Sequence, residues 1–337
     1  MHSTTPARTL TLAAAALLAA CGGGETGTTD SGGATPEFAA DSGAGAPSAT
    51  VAAEPASTIE RFGPDSATGR FQTPESARYD AGADVFYVSN INGNPSAKDN
   101  NGFIARVPAA GTGEGAIIVQ GGRNGATLHA PKGIALSGDT LWVADIDAVR
   151  GFDKNSGAPL ATVDLAAMKV NFLNDVAAGP DGALYVTDTG IRFDAQGGMT
   201  HPGPDRIFRV AGGKATVALS GAALGAPNGI AYDATNRRFV VAPFDGKALM
   251  TFKEGDSTAT TLVSGPGQYD GVEVLSDGRI VVTSWADSSV NVVTGTTLTR
   301  IASGANAPAD IGVDTRRNTI AVPLFMDNRV AVYEIPK

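Results

Sequence analysis

Pro227-Asn228-Gly229-Ile230, a turn at Ala234-Thr235-Asn236-Arg237, then Phe239-Val240-Val241-Ala242 form the stretch that decides the fold. A short apolar strand is followed by a tight turn and a second apolar strand. The same order recurs six times. The other five segments begin Pro74-Glu75-Ser76-Ala77, Pro131-Lys132-Gly133-Ile134, Leu173-Asn174-Asp175-Val176, Tyr269-Asp270-Gly271-Val272 and Pro308-Ala309-Asp310-Ile311. Their second residues stand 57, 42, 54, 42 and 39 positions apart. A period of about 40–50 residues with strand-turn-strand content belongs to propeller blades rather than helical solenoids. The turns Gly179-Pro180-Asp181-Gly182 and Ser276-Asp277-Gly278 supply residues that accept positive φ. The strands that follow, such as Ile280-Val281-Val282-Thr283, are β-branched, as a pleated surface prefers.

The expected fold is therefore all-β: a six-bladed β-propeller of four-stranded antiparallel blades. Radial closure leaves few open sheet edges. Thr58-Ile59-Glu60-Arg61-Phe62 has strand composition and precedes the first repeat. It is expected to supply the outer strand of the last blade, which ends near Val330–Ile335. The propeller domain is read as 58–337. The stretch from Asp164 to Lys169 is helix-like but too short to alter the class.

The chain has 337 residues, a formal charge of −9 and no basic cluster, which argues against nucleic acid as a partner. Residues 1–21 read as a targeting segment: Arg8, then an apolar run from Leu10 to Ala20, then Leu18-Ala19-Ala20-Cys21. The run is too short to span a bilayer as a helix. The pattern resembles a bacterial lipoprotein signal in which Cys21 is lipidated. The alternative is an ordinary secretory signal with a chance cysteine. Cys21 is the only cysteine, so no disulfide forms within the chain. Residues 22–57, rich in Gly, Ser, Thr, Ala and Pro, read as a disordered tether. The expected location is the bacterial cell envelope, periplasmic or surface-facing, with membrane contact through the N-terminal lipid alone.

In a propeller the inner strands all start at one end of the axial channel, so the six second positions converge. Glu75, Asn174, Asn228 and Asp270 would place carboxylate and amide oxygens there. Such a set suits a hard divalent cation, Ca²⁺ above all, and the lack of His or Cys argues against zinc or copper. Taken singly, each Asn or Asp also fits a turn residue that caps its own backbone, and a bound cation fits a structural role as well as a catalytic one.

These four motifs, in this order, resemble the regucalcin/gluconolactonase family of six-bladed metal-dependent lactonases and related hydrolases. The resemblance spans roughly residues 70–335. It implies Glu75, Asn228 and Asp270 as direct metal ligands, with Asn174 binding directly or through water. It also implies Asp270 as the general base that activates water against a lactone or small ester. The family's sugar lactonases carry a substrate-holding arginine two residues before the third motif's asparagine; here that position is Phe172. Lys132 occupies a channel position and, with Phe172 and Trp285, is a candidate substrate contact. Lys132 equally fits a plain ion pair with Glu75 or Asp270, and Asp310 stands beside the uninformative Ala309. His129 and His201 are the only histidines after residue 21; His129 reads as a peripheral strand residue, with a hydrolytic dyad with an acid as the alternative, and His201 sits in the insertion from Gly190 to Asp205. The segments 90–101 and 190–205 are insertions on the same face as the inner-strand starts, fit to form a lid or plain surface. No nucleophile elbow, phosphate loop or dinucleotide fingerprint is present. A second function class stays open: a non-enzymatic propeller lipoprotein that binds a ligand or protein through its top-face loops.

Overall fold

The computed structural model describes residues 52–53, 58–62, 71–111 and 115–337, and the first two stretches by backbone pairing alone. They fall in one unit, Ala46–Lys337. Cys21, the targeting segment 1–21 and nearly all of the tether 22–57 lie outside the described residues.

Six antiparallel sheets follow one another along the chain. Blade 1 runs Pro74–Asp80, Val85–Asn90, Phe103–Pro108 and Ala116–Gln120. The inner strands of the next five blades are Pro131–Ser137, Leu173–Ala178, Pro227–Asp233, Tyr269–Val274 and Gly312–Asp314. Thr58–Phe62 pairs antiparallel with Arg329–Glu334 and completes blade 6, so the first and last parts of the propeller share one sheet. Ala52–Ala53 adds a short parallel strand to blade 5. The helix-like stretch after Asp164 is a single 3₁₀ turn, Ala166–Met168.

Among the described residues the apolar core is divided into six parts, each between two neighbouring blades, with a seventh small cluster around Ile91, Ala130 and Ile146. Tyr87, Ile104 and Val119 of blade 1 meet Ile134, Leu141 and Phe152 of blade 2. Tyr185 of blade 3 meets Phe239 and Phe252 of blade 4. Phe86 and Val88 of blade 1 meet Val330 and Val332 of blade 6. At that last junction the backbones also bond: Asp310 N–H donates to Glu75 O at 2.8 Å and Ala77 N–H to Asp310 O at 3.3 Å. Arg317 grips both oxygens of Asp84 at 2.7 Å across the same seam. Packing between blades thus closes the ring and leaves the axis for polar groups.

The inner strands crowd the axis. A Cβ on Gly271 would lie 2.6 Å from Asp310 Cα and 2.8 Å from Ala309 O. All of these atoms belong to the next blade's backbone, which cannot give way cheaply. Gly271→Ala is expected to destabilise the protein by about 1–3 kcal/mol, read as a lower urea midpoint at unchanged m-value.

Candidate metal and substrate site

Five of the six inner strands carry a register shift at the second residue of the repeat. In blade 1 Pro74 pairs with Asn90 and Ser76 with Ser89, which leaves Glu75 as the extra residue. The shifts in blades 2 to 5 bracket Lys132, Asn174, Asn228 and Asp270 in the same way. A bulge turns one side chain out of the alternating pattern and re-aims it. Here it frees the second residue of each repeat from the inter-blade packing.

The five residues form a buried polar layer: Glu75 is 5%, Lys132 0%, Asn174 3%, Asn228 5% and Asp270 4% exposed. Asn174 Nδ2 donates to Thr189 Oγ1 at 3.1 Å, and Thr189 in turn donates to Pro227 O at 2.9 Å. That chain fixes the amide and leaves Asn174 Oδ1 without a donor. Glu75 Oε2 and Asp270 Oδ1 are buried without partners too. Burial, then the charges of Asp270 and Asp310, hold the Glu75 carboxyl well above its usual range, against the pull of Lys132. Burial and then Asp310 likewise raise Asp270, while hydrogen bonding from Trp285 and Asn228 opposes them. The Trp285 indole nitrogen lies near Asp270 and is buried without a formed hydrogen bond.

A second polar layer, at the third residue of each repeat, was missed in the sequence apart from Asp310. Its members are Ser76, Gly133, Asp175, Gly229, Gly271 and Asp310. Asp310 Oδ2 accepts from Ser76 Oγ at 2.5 Å. Asp175 Oδ2 accepts from Ile230 N–H at 2.7 Å, so it ties blade 3 to blade 4. Burial raises both carboxyls and Arg78 lowers both. Arg78 donates from Nε to Ile134 O at 2.7 Å and pairs with Glu273. The signal was legible: Asp at the third position of repeats where Gly is the rule.

Lys132 does not simply pair with a carboxylate. Its Nζ donates to Ala130 O at 2.9 Å and Pro95 O at 3.2 Å, and sits 4.1 Å from the centroid of the Phe172 ring. Burial pulls its pKa down to about 8 against the attraction of Glu75 and Asp145. Phe172 also packs on Phe193, with ring centroids 5.7 Å apart. Residues 91–101 and 189–205 leave the same end of their blades and touch. Asn94 Nδ2 donates to Asp194 O at 2.6 Å, and Phe193 N–H to Ser96 Oγ at 3.0 Å. Trp285 stands between Phe244 and Phe325, at 5.5 and 5.6 Å. The two histidines among the described residues bond to neighbouring loop groups: His129 Nδ1 accepts from Asn100 N–H at 3.0 Å, and His201 Nε2 meets Asp205 Oδ1 at 2.6 Å. Ala309 is buried and contributes no polar group.

A model of the SMP-30/gluconolactonase/LRE-like family matches residues 73–312. This chain belongs to that family. No curated protein matches it. Among solved structures, a gluconolactonase from Xanthomonas campestris is 16% identical, with a TM-score of 0.62 over 83% of this chain and 90% of that one. The calcium-binding protein regucalcin from Agrobacterium tumefaciens is 14% identical, with a TM-score of 0.59 over 84% and 95%. A luciferin-regenerating enzyme is 13% identical, with a TM-score of 0.62 over 83% and 96%. These likenesses establish the shared propeller.

The upper layer fits a divalent cation on its own chemistry. Three buried oxygens lack donors, and two of them belong to carboxylates that repel each other. Among the described residues no group of three His, Cys, Asp or Glu side chains converges on a metal-binding arrangement; the donors here are two carboxylates and two amides. Four carboxyls, Glu75, Asp175, Asp270 and Asp310, have raised folded pKa values. These four carboxyls therefore hold more protons in the folded state than in the unfolded chain above about pH 4, and their contribution to stability falls as pH rises through the raised values. Lys132, lowered to about 8, acts in the opposite sense only from about pH 8 upward. After chelation the melting temperature is expected to rise as pH is lowered from about 8 to about 5. Added calcium is expected to stabilise more at the higher pH, where its ligands are ionised. Differential scanning calorimetry at the two pH values, with and without calcium, checks both signs.

Proposed function

We propose that this protein is a divalent-cation-dependent lactonase, opening a lactone or small ester, held in the bacterial cell envelope. The observation that carries the reading is the set of unpartnered buried oxygens Glu75 Oε2, Asn174 Oδ1 and Asp270 Oδ1 on repeat-equivalent bulges. Family membership and the gluconolactonase-like neighbours support the same class of reaction. Glu75, Asn228 and Asp270 would hold the cation, Ca²⁺ by the donor chemistry, with Asn174 beside them. When bound, it supplies positive charge that polarises the carbonyl and eases ionisation of water.

The protein's own groups do the rest. Asp270, with its raised proton affinity, accepts a proton from water as the water oxygen bonds to the carbonyl carbon. The proton then passes to the ring oxygen as its bond to the acyl carbon breaks. The product is the open hydroxy acid. Asn228 and Trp285 lie beside the Asp270 carboxylate and favour its ionised form, and the Thr189 bond holds Asn174 in place. Lys132 offsets the charge of Glu75 and fastens the loop at Pro95.

The test is hydrolysis of a lactone and ester panel before and after chelation, with calcium added back. Hydrolysis should vanish with the cation and return with it. Asp270→Asn should lower kcat by about 10²–10⁴-fold, the range for loss of a general base. Cation binding without turnover on the whole panel would favour the second class, a propeller that only binds. The sequence of residues 1–57 supports anchoring through a lipidated Cys21 and a tether. Labelled palmitate fed to a bacterial host should mark the wild-type protein and leave Cys21→Ser unmarked.

A further inference from the structure

Five of the six blades place a large apolar residue directly after the second strand. Those strands end at Asn90, Asp145, Asp188, Pro243, Ser284 and Leu324. The next residues are Ile91, Ile146, Thr189, Phe244, Trp285 and Phe325. They are not scattered. Phe325 packs against the cluster of Ile91, Ala130 and Ile146. Trp285 bridges Phe325 and Phe244. Blade 3 has the small Thr189, and there the Phe172 ring lies over Lys132 instead. The apolar groups run from blade to blade: Ile91 and Ile146 to Phe325, Phe325 to Trp285, and Trp285 to Phe244.

Several polar groups of the two loops are committed to one another, although Asn101 Oδ1 has no partner. Asn94 donates to Asp194 O, and Ser96 Oγ accepts from Phe193 N–H. Asn171 accepts from Arg192 at 2.9 Å and donates to Gly203 O at 2.8 Å. A polyhydroxylated ligand pressed against this collar would lose water at each hydroxyl and gain few partners, which is costly. An alkyl or aryl substituent would bury against Phe244, Trp285 and Phe325, which remain partly exposed and so accessible.

Resting on the lactonase reading, we infer that the collar selects lactones bearing an apolar alkyl or aryl substituent and rejects sugar lactones. Burial gives about fourfold in affinity for each methylene removed from water. The full-length protein in detergent is assayed on three lactones with one six-membered ring: δ-valerolactone, δ-decalactone and glucono-δ-lactone. The expected order of kcat/KM is δ-decalactone above δ-valerolactone by tenfold or more, with glucono-δ-lactone lowest. Trp285→Ala should cut the preference for δ-decalactone over δ-valerolactone about tenfold, and Trp285→Phe should restore most of it. Hydrolysis led by glucono-δ-lactone, or a preference untouched by Trp285→Ala, overturns the inference and leaves the lactonase reading intact.

If none of the three is hydrolysed, the lactonase reading fails and tryptophan fluorescence still decides the collar. Saturable quenching by δ-decalactone, absent with glucono-δ-lactone and lost in Trp285→Phe, upholds the apolar site. Quenching by glucono-δ-lactone at equal or lower concentration, or by neither lactone, overturns it.

Discussion

Backbone crowding at the propeller axis is the constraint on which the rest of the molecule depends. Added Cβ atoms would fall 2.6 Å from Asp175 Cα at Gly133, 2.2 Å from Asp270 O at Gly229 and 2.2 Å from Ala77 O at Gly312. Six inner strands reach this separation only if the facing residue is small or serves the neighbour. Glycine takes the first course. Ser76, Asp175 and Asp310 take the second, because their oxygens bond across to the adjacent blade. In blades 1 to 5 a bulge lies beside these positions and turns Glu75, Asn174, Asn228 and Asp270 into the candidate site. Closure of the ring and construction of the site are one event.

That arrangement concentrates negative charge. Two layers of buried carboxyls share the channel with only two nearby cations, Lys132 and Arg78. Each cation is tied partly to backbone carbonyls: Lys132 to Ala130 and Pro95, Arg78 to Ile134. Neither is free to neutralise the layer fully. Buried like charges raise one another's proton affinity, so the site has three ways to relieve itself: hold protons, lean on Lys132, or bind a cation. The unpartnered oxygens lie on the residues that family resemblance assigns to a metal, and direct physical need points to the same residues.

Away from the axis, fixed polar caps hold the loops that lead into the inner strands. Asp145 accepts from the backbone of His129 and Ala130 and pairs with Arg150 at 2.5 Å. Asp188 accepts from Asn171 and Phe172 and pairs with Arg206 at 2.7 Å. Asn90 does the same for Gln72 at 2.9 Å. Thr73, Ala226, Gln268 and Ala307, before the remaining inner strands and that of blade 1, adopt positive φ, and Ala226 N–H is also capped by Asp205 at 2.8 Å. Two local solutions therefore meet one requirement, a sharp turn from the outer strand of one blade into the axis of the next.

The repeat, the blade number and the ring-closing strand Thr58–Phe62 were legible because each is written locally, in apolar alternation and turn residues that act over a few positions. Family membership was legible in the four short motifs for the same reason. Family resemblance also singled out Phe172 as a departure, but not the contact of its ring with the Lys132 ammonium. Other features belong to tertiary structure alone. Asp175 reads as an ordinary strand residue until Gly133 and Ile230 are set against it. Phe244, Trp285 and Phe325 lie about forty residues apart in the sequence and become one apolar wall only when the blades are arranged radially. Sequence by itself determined the strands, their repeat and the oxygen donors, since these follow from residue type and spacing. Only the closed ring decided which oxygens lack partners and which apolar side chains share one mouth, because burial and contact are set by neighbouring blades.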